Sequence, residues 1–206
     1  MTDFLLQGMW VDGTIFTDAG SGADEDLNVL YPVMPDDPSW YWVAQLAGGD
    51  PNDVSKKQLL VRPIPNSFGN PPISPGSTGS LQYMWGMLAL HDNGGTLQLS
   101  QAAPPPGFFA LSGFFGMHDD GSGNGLPGGM TRFAYIGSEM ILSWAPASNQ
   151  IWNDSGSGAD DDGSVWAVEG SNWQATTWSC FVGQSGYGLP STPTPLIDLS
   201  KIDFNI

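Results

Sequence analysis

Residues 16–26 read FTDAGSGADED and residues 152–162 read WNDSGSGADDD. An aromatic residue followed by Asp-x-Gly-Ser-Gly-Ala-Asp-x-Asp is therefore written twice, with four carboxylates in each copy. Two chemistries suit such a loop. A sugar site needs a carboxylate that accepts from vicinal hydroxyls, backbone amides presented by a Gly-rich turn, and an aromatic ring alongside. The candidate ligand-binding residues are Asp18, Gly20, Ser21, Gly22, Asp24 and Asp26 in the first copy. In the second they are Trp152, Asp154, Gly156, Ser157, Gly158, Asp160 and Asp162, with Phe16 or Trp152 as the ring if it faces outward. A calcium site needs about six to eight oxygens. Asp24, Asp26, Asp160 and Asp162, with nearby carbonyls, are the candidate metal ligands, although the spacing lacks the closing Glu of an EF-hand. No other cofactor is implied.

Each residue also has a plainer role. Asp18, Asp92 and Asp154 can cap turns by accepting from backbone amides, with the glycines present because the turn needs positive φ. That role is preferred for these three, since the middle of the chain keeps Asp92 while the acidic loop shrinks to Asn93-Gly94-Gly95. Asp24, Asp26, Asp160 and Asp162 serve equally as solvated loop residues or as ligand contacts.

No catalytic set is evident, and the chain is expected not to be an enzyme. The two histidines, His91 and His118, sit in no nucleophile motif. His118-Asp119-Asp120 reads as an exposed turn and His91 as packing beside a strand end. Cys180 is the lone cysteine and reads as a small buried hydrophobe on a strand. Paired carboxylates leave glycoside cleavage as the enzyme alternative.

The elements that must position these loops are β-strands. Of the 21 acids in 206 residues only Glu25, Glu139 and Glu169 are not Asp, and Asp is the turn former where Glu is the helix former. Gly and Pro number 28 and 17, enough to raise the question of disorder. Nine Trp among many other aromatics argue for a packed core instead. Short β-branched and aromatic runs lie between Gly, Pro, Asn and Asp clusters, and helical periodicity is absent. A net charge of −16 repels nucleic acid and anionic lipid, which leaves cations and neutral ligands such as sugars as compatible partners. No apolar stretch approaches a membrane span, so a soluble protein is expected. No secretory signal opens the chain between Met1 and Trp10, so synthesis in the cytoplasm is expected, with any release by a route that uses no cleaved signal.

The chain reads as one domain, 1–206, of three units at about 1–78, 79–137 and 138–206. The first starts with a strand at Gln7 to Val11, a turn at Asp12-Gly13 and a strand at Thr14 to Thr17. It ends at Leu59 to Ile64, and Asn66 to Ser80 reads as a connector. Trp10, Trp85 and Trp144 are taken as equivalent, as are Asp18, Asp92 and Asp154. Trp40, Tyr41 and Trp42 in succession cannot all point inward from one strand. The expected fold is all-β, a β-prism of three four-stranded antiparallel sheets with pseudo-threefold internal symmetry. A β-trefoil, with shorter repeats, and a sandwich are the competing folds.

The pattern aromatic-x-Asp-x-Gly-Ser-Gly-Ala-x-x-Asp, with a Pro-Pro-x-Gly-aromatic piece at Pro105 to Phe108 and then Ala-Leu-x-Gly at Ala110 to Gly113, resembles the vacuolar-protein-sorting-associated repeat family of fungi and plants. A similar three-sheet β-prism is attached to some perforin-class bacterial toxins. The resemblance spans all three units, although the full acidic loop occurs only in the first and third. It implies a β-prism, and β-prism domains of other families commonly bind carbohydrate, some through a Gly-x-x-x-Asp loop that Gly20 to Asp24 and Gly156 to Asp160 match. The function expected is a non-catalytic, lectin-like module that binds glycans or a cell-surface receptor, at least bivalent through its first and third units. The alternative is a toxin-associated or scaffold subunit that docks another protein through exposed aromatics.

Overall fold

The computed structural model describes residues 4–17, 27–48, 57–64, 72–76, 81–87, 96–118, 132–156, 162–171 and 177–205. These are almost wholly strand and turn. The first third of the chain carries β1 (Leu6–Thr17), β2 (Asn28–Pro32), β3 (Tyr41–Trp42), β4 (Leu46–Gly48) and β5 (Lys57–Pro63). The middle carries β6 (Ile73–Pro75), β7 (Leu81–Met87), β8 (Thr96–Ala102), β9 (Phe108–Phe109), β10 (Phe114–His118) and β11 (Ala134–Gly137). The last part carries β12 (Ile141–Ala145), β13 (Ala147–Asn153), β14 (Gly163–Val168), β15 (Trp178–Ser185), β16 (Thr194–Ile197) and β17 (Ile202–Asp203). Short 3-10 turns occur at Ser138–Met140 and Leu199–Lys201. Among the described residues no helix is long and apolar enough to cross a membrane.

One pairing scheme recurs three times along the chain. The strand that opens each unit pairs antiparallel with the strand that closes it: β1 with β5, β6 with β11, β12 with β16. Three-stranded antiparallel meanders follow as β1-β2-β4, β7-β8-β10 and β13-β14-β15. In the first two units a two-residue strand also joins the closing strand, β3 on β5 and β9 on β11. Long strands shared between ladders merge some of these sheets. The order β13-β14-β15-β4-β2-β1-β5-β3 forms one nine-stranded sheet with β17 added to β1, beside sheets of three, three and two strands. The described strands thus do not divide into three separate sheets of four, and none closes into a barrel.

Two details differ from the sequence reading. No turn occurs at Asp12-Gly13. β1 runs straight through, pairing with β5 from Leu6 to Asp12 and with β2 from Gly13 to Thr17. Gly13 is there for close approach, since a Cβ would lie 2.4 Å from Leu30 Cγ. The stretch read as a connector contains β6, which is the counterpart of the first half of β1. Trp10 on β1 faces β5 and Trp144 on β12 faces β16, but Trp85 lies on β7 against β8. Trp10 and Trp144 thus share a place in the pairing scheme, and Trp85 has a different one.

Aromatic rings from the first two units meet in the core. Trp42 packs on Phe114 and Phe133 with centroids 5.2 and 5.8 Å apart, and Tyr135 meets Phe133 edge to face at 5.5 Å. Trp152 and Phe181 add the third unit to the same buried cluster. Of the Trp40-Tyr41-Trp42 run, both tryptophans are buried and Tyr41 is the half-exposed one. The Arg132 guanidinium clamps the second unit to the first, donating at 2.7 Å to the carbonyls of both Asp37 and Pro35.

Candidate functional site

A groove of about 330 Å³ lies where the second unit meets the third. β9 and the turn that follows it supply Phe109 and Ser112, β12 supplies Trp144, and β15 supplies Gln184. The run Pro190 to Pro195, leading into β16, forms the rim. β12 has only β16 beside it among the described strands, its three middle residues are all exposed, and Trp144 among them is 50% exposed. Phe109 braces the indole edge to face, with centroids 5.2 Å apart and planes at 89°. Prolines at 190, 193 and 195 fix φ along the rim and lower the ordering cost of binding. Among the described residues no charged side chain lines the groove, although the chain carries −16. Chemically it offers one aromatic surface, neutral hydroxyls from Ser191 and Thr192, and the Gln184 amide.

The residues expected from the acidic loop are placed differently. Trp152 is fully buried in the aromatic core, so it cannot be a sugar platform. Its neighbour Asn153 caps the turn, with Oδ1 accepting from the Ser155 amide at 3.0 Å. Asp154 follows it at the start of the turn. It is 4% exposed, its backbone N–H donates to the Gly163 carbonyl at 3.1 Å, and its Oδ1 has no hydrogen-bond partner. Gly156 has φ +83°, as the turn reading of that glycine requires. Asp162 is exposed, and its Oδ1 accepts from the Tyr187 hydroxyl at 3.1 Å. Hydrogen bonding toward Asp154, then loss of solvent, then the Asp162 bond hold the Tyr187 pKa well above the ordinary phenol value. Among the described residues no three His, Cys, Asp or Glu side chains are grouped to hold a metal.

The structure thus brings together Asp154 and Asp162 and sends Trp152 elsewhere. The remaining sequence candidates, Asp18, Gly20, Ser21, Gly22, Asp24, Asp26, Ser157, Gly158 and Asp160, lie outside the described residues, as do His91 and Asp92. Cys180 is buried on β15 as expected, and burial pushes its thiol up to about 12. Sequence reasoning missed Trp144 and Gln184 as site residues. The signal for them was the run Pro190-Ser-Thr-Pro-Thr-Pro195, a stiff, uncharged segment in an acidic chain.

No protein-family model matches the chain, and no curated protein matches it. The chain is similar to GNIP1Aa from Chromobacterium piscinae, known from a crystal structure. The likeness has a TM-score of 0.69 and 21% identity, and it covers 98% of this chain and 39% of that one. It shows the fold over nearly all of this chain, which spans about two fifths of the length of the protein it matches.

Proposed function

We propose that the chain is a non-catalytic, lectin-like module that binds neutral carbohydrate on a glycan or cell-surface receptor through the Trp144 groove. One observation carries this reading: a groove with no charged side chain among its described lining residues, built around a half-exposed tryptophan, in a chain of −16. A charged ligand would call for complementary charge in the wall. A pyranose has an apolar C–H face for the indole and a rim of hydroxyls for Gln184, Ser191 and Thr192. At about 330 Å³ the groove is at the small end for ligand sites, which suits one or two sugar rings. The triplicated pairing scheme supports a β-prism with pseudo-threefold symmetry, and with it the resemblance to the Gly-Ser-Gly-Ala repeat family. The test is a glycan array of neutral and acidic oligosaccharides, followed by titration of intrinsic tryptophan fluorescence. Binding to neutral glycans that is lost in Trp144→Ala supports the proposal. Blank arrays, with and without calcium, overturn it.

A second reading is docking to another protein, as a toxin-associated or scaffold subunit. It is favoured by Leu142 beside Trp144 on β12 and Leu189 ahead of the rim, 64% and 58% exposed, because large exposed apolar side chains gathered on one face mark protein contacts. On this reading Leu142→Glu abolishes capture of the partner. On the carbohydrate reading it leaves glycan affinity within about twofold, because Leu142 is not in the groove wall.

A further inference from the structure

We infer that the foot of the β13–β14 loop is a calcium site whose inner protein ligands are the carboxylates of Asp154 and Asp162 and the Tyr187 hydroxyl. Three observations converge on it. The first is the Asp154 side chain, 4% exposed, with an Oδ1 that has no hydrogen-bond partner. A buried carboxylate in that state is costly unless a positive charge or a donor faces it.

The second is that the positive charges are already used. Lys57 pairs with Asp12, Arg62 with Asp37 at 3.1 Å, and Lys201 with Asp198 at 3.6 Å. Arg132 is held on the Asp37 and Pro35 carbonyls. None of these four reaches Asp154, and the fifth basic residue, Lys56, lies outside the described residues.

The third is a shortage of protons. The Tyr187 hydroxyl gives its one hydrogen to Asp162, at 3.1 Å. It has none left for Asp154, whose negative charge also acts on it. The arrangement is held by the backbone and not by chance side-chain rotation. Asp154 N–H donates to the Gly163 carbonyl at 3.1 Å, Gly186 N–H donates to the Asp162 carbonyl at 2.7 Å, and the Ser164 hydroxyl donates to the Gly186 carbonyl at 2.6 Å.

A cation among these oxygens satisfies all three. It supplies the missing charge to Asp154, takes the lone pairs of Tyr187, and offsets the repulsion between the two carboxylates. The donors are all oxygen, with no imidazole or thiolate among them, which selects a hard ion over zinc or copper. Calcium accepts irregular oxygen sets completed by water, whereas magnesium demands a near-ideal octahedron. Asp154, the residue the sequence reads as a turn cap, is on this inference the innermost ligand.

The test is thermal unfolding of metal-stripped protein in millimolar calcium chloride and in sodium chloride of equal ionic strength, with terbium luminescence sensitised by Tyr187 as a direct probe. At about a hundredfold excess over the dissociation constant, calcium should raise the Tm by about 5–10 °C beyond the sodium control. Asp162→Asn, an exposed change that leaves the core alone, should remove most of that gain and the terbium signal. Asp154→Asn should remove both and, without calcium, should melt no lower than the stripped parent. Equal Tm in the two salts overturns the inference, as does an Asp162→Asn protein that keeps the full calcium gain. Failure of Asp154→Asn to fold leaves the decision with Asp162→Asn.

Discussion

Two tryptophans eight residues apart in sequence should behave in opposite ways. Trp152 is fully buried in the central cluster, and Trp144 is 50% exposed over the groove. A buried indole removes about 200 Å² from water, worth about 5 kcal/mol at ~25 cal/mol per Å². That agrees with the ~3–5 kcal/mol measured for large aromatic-to-alanine changes in cores. Trp144 has about half that area to lose, together with its edge contact to Phe109, so Trp144→Ala should cost about 3 kcal/mol. Against a typical total of ~5–15 kcal/mol, Trp144→Ala stays folded at 25 °C, and Trp152→Ala is marginal. The assay is urea unfolding followed by far-UV circular dichroism, because removing a tryptophan alters the fluorescence signal itself. Glycan affinity should fall at least ~30-fold in Trp144→Ala, the size expected when a central aromatic anchor of about 2 kcal/mol is removed. The folded fraction of Trp152→Ala should bind normally. A Trp144→Ala midpoint as low as that of Trp152→Ala would show that the indole is a core residue. Undiminished affinity in a folded Trp144→Ala would remove the groove from the account.

The same unfolding assay checks the other elements. Arg132→Ala should lower stability by about 2 kcal/mol through loss of two charge-assisted bonds, and Arg132→Lys should recover less than half, since an ammonium cannot span both carbonyls as a fork. Gly13→Ala forces a Cβ against the fully buried Leu30 and should cost about 1–3 kcal/mol; combining it with Leu30→Ala should give less than the sum of the two changes. The Cys180 thiol titrates near 12 when folded but near 8.5 when unfolded. Between those values the unfolded chain holds fewer protons, so stability should fall as pH rises through that window, less steeply in Cys180→Ala, and the native thiol should resist aromatic disulfide reagents at pH 8. Calorimetric titration with a neutral oligosaccharide should give one site per chain at the groove; two equal sites would favour the paired acidic loops instead.

The fold class was legible because its causes are local. Asp-rich turns, Gly and Pro punctuation and short aromatic runs exclude long helices before any tertiary contact is considered. The recurring strand pairing was legible where the strands are long, as in β1-β2 and β13-β14. It was misplaced in the middle of the chain because β6 is three residues long and ends in Pro75, so its composition is that of a turn. Only pairing with β11, about sixty residues later, makes it a strand. The Asp12-Gly13 error has a similar origin. The pair looks like a hairpin turn by residue type, but here the glycine is selected by the Leu30 side chain across the ladder. Trp152 was misread because the loop motif sets its spacing from the glycines and not the direction in which it leaves β13.

Internal repetition also explains why the groove could not be found from the repeat itself. Trp10 and Trp144 stand at equivalent places on β1 and β12, yet Trp10 is stacked by Phe204, with centroids 5.7 Å apart and planes 5° from parallel. Phe204 follows β17, the added strand that pairs parallel with the start of β1. The end of the chain therefore covers the first unit's tryptophan, while the third unit's counterpart has only Phe109 at its edge and a proline-rich rim beside it. The pairing scheme gives these two strands matching places, and the segments packed around them decide which tryptophan stays open. A second groove of this kind would need Trp10 uncovered, which would break the Trp10–Phe204 stack. The two like sites expected from the sequence are the acidic loops, and the first of them lies outside the described residues. The groove depends instead on the unequal surroundings of Trp10 and Trp144, set by a phenylalanine 194 positions away from the tryptophan it covers.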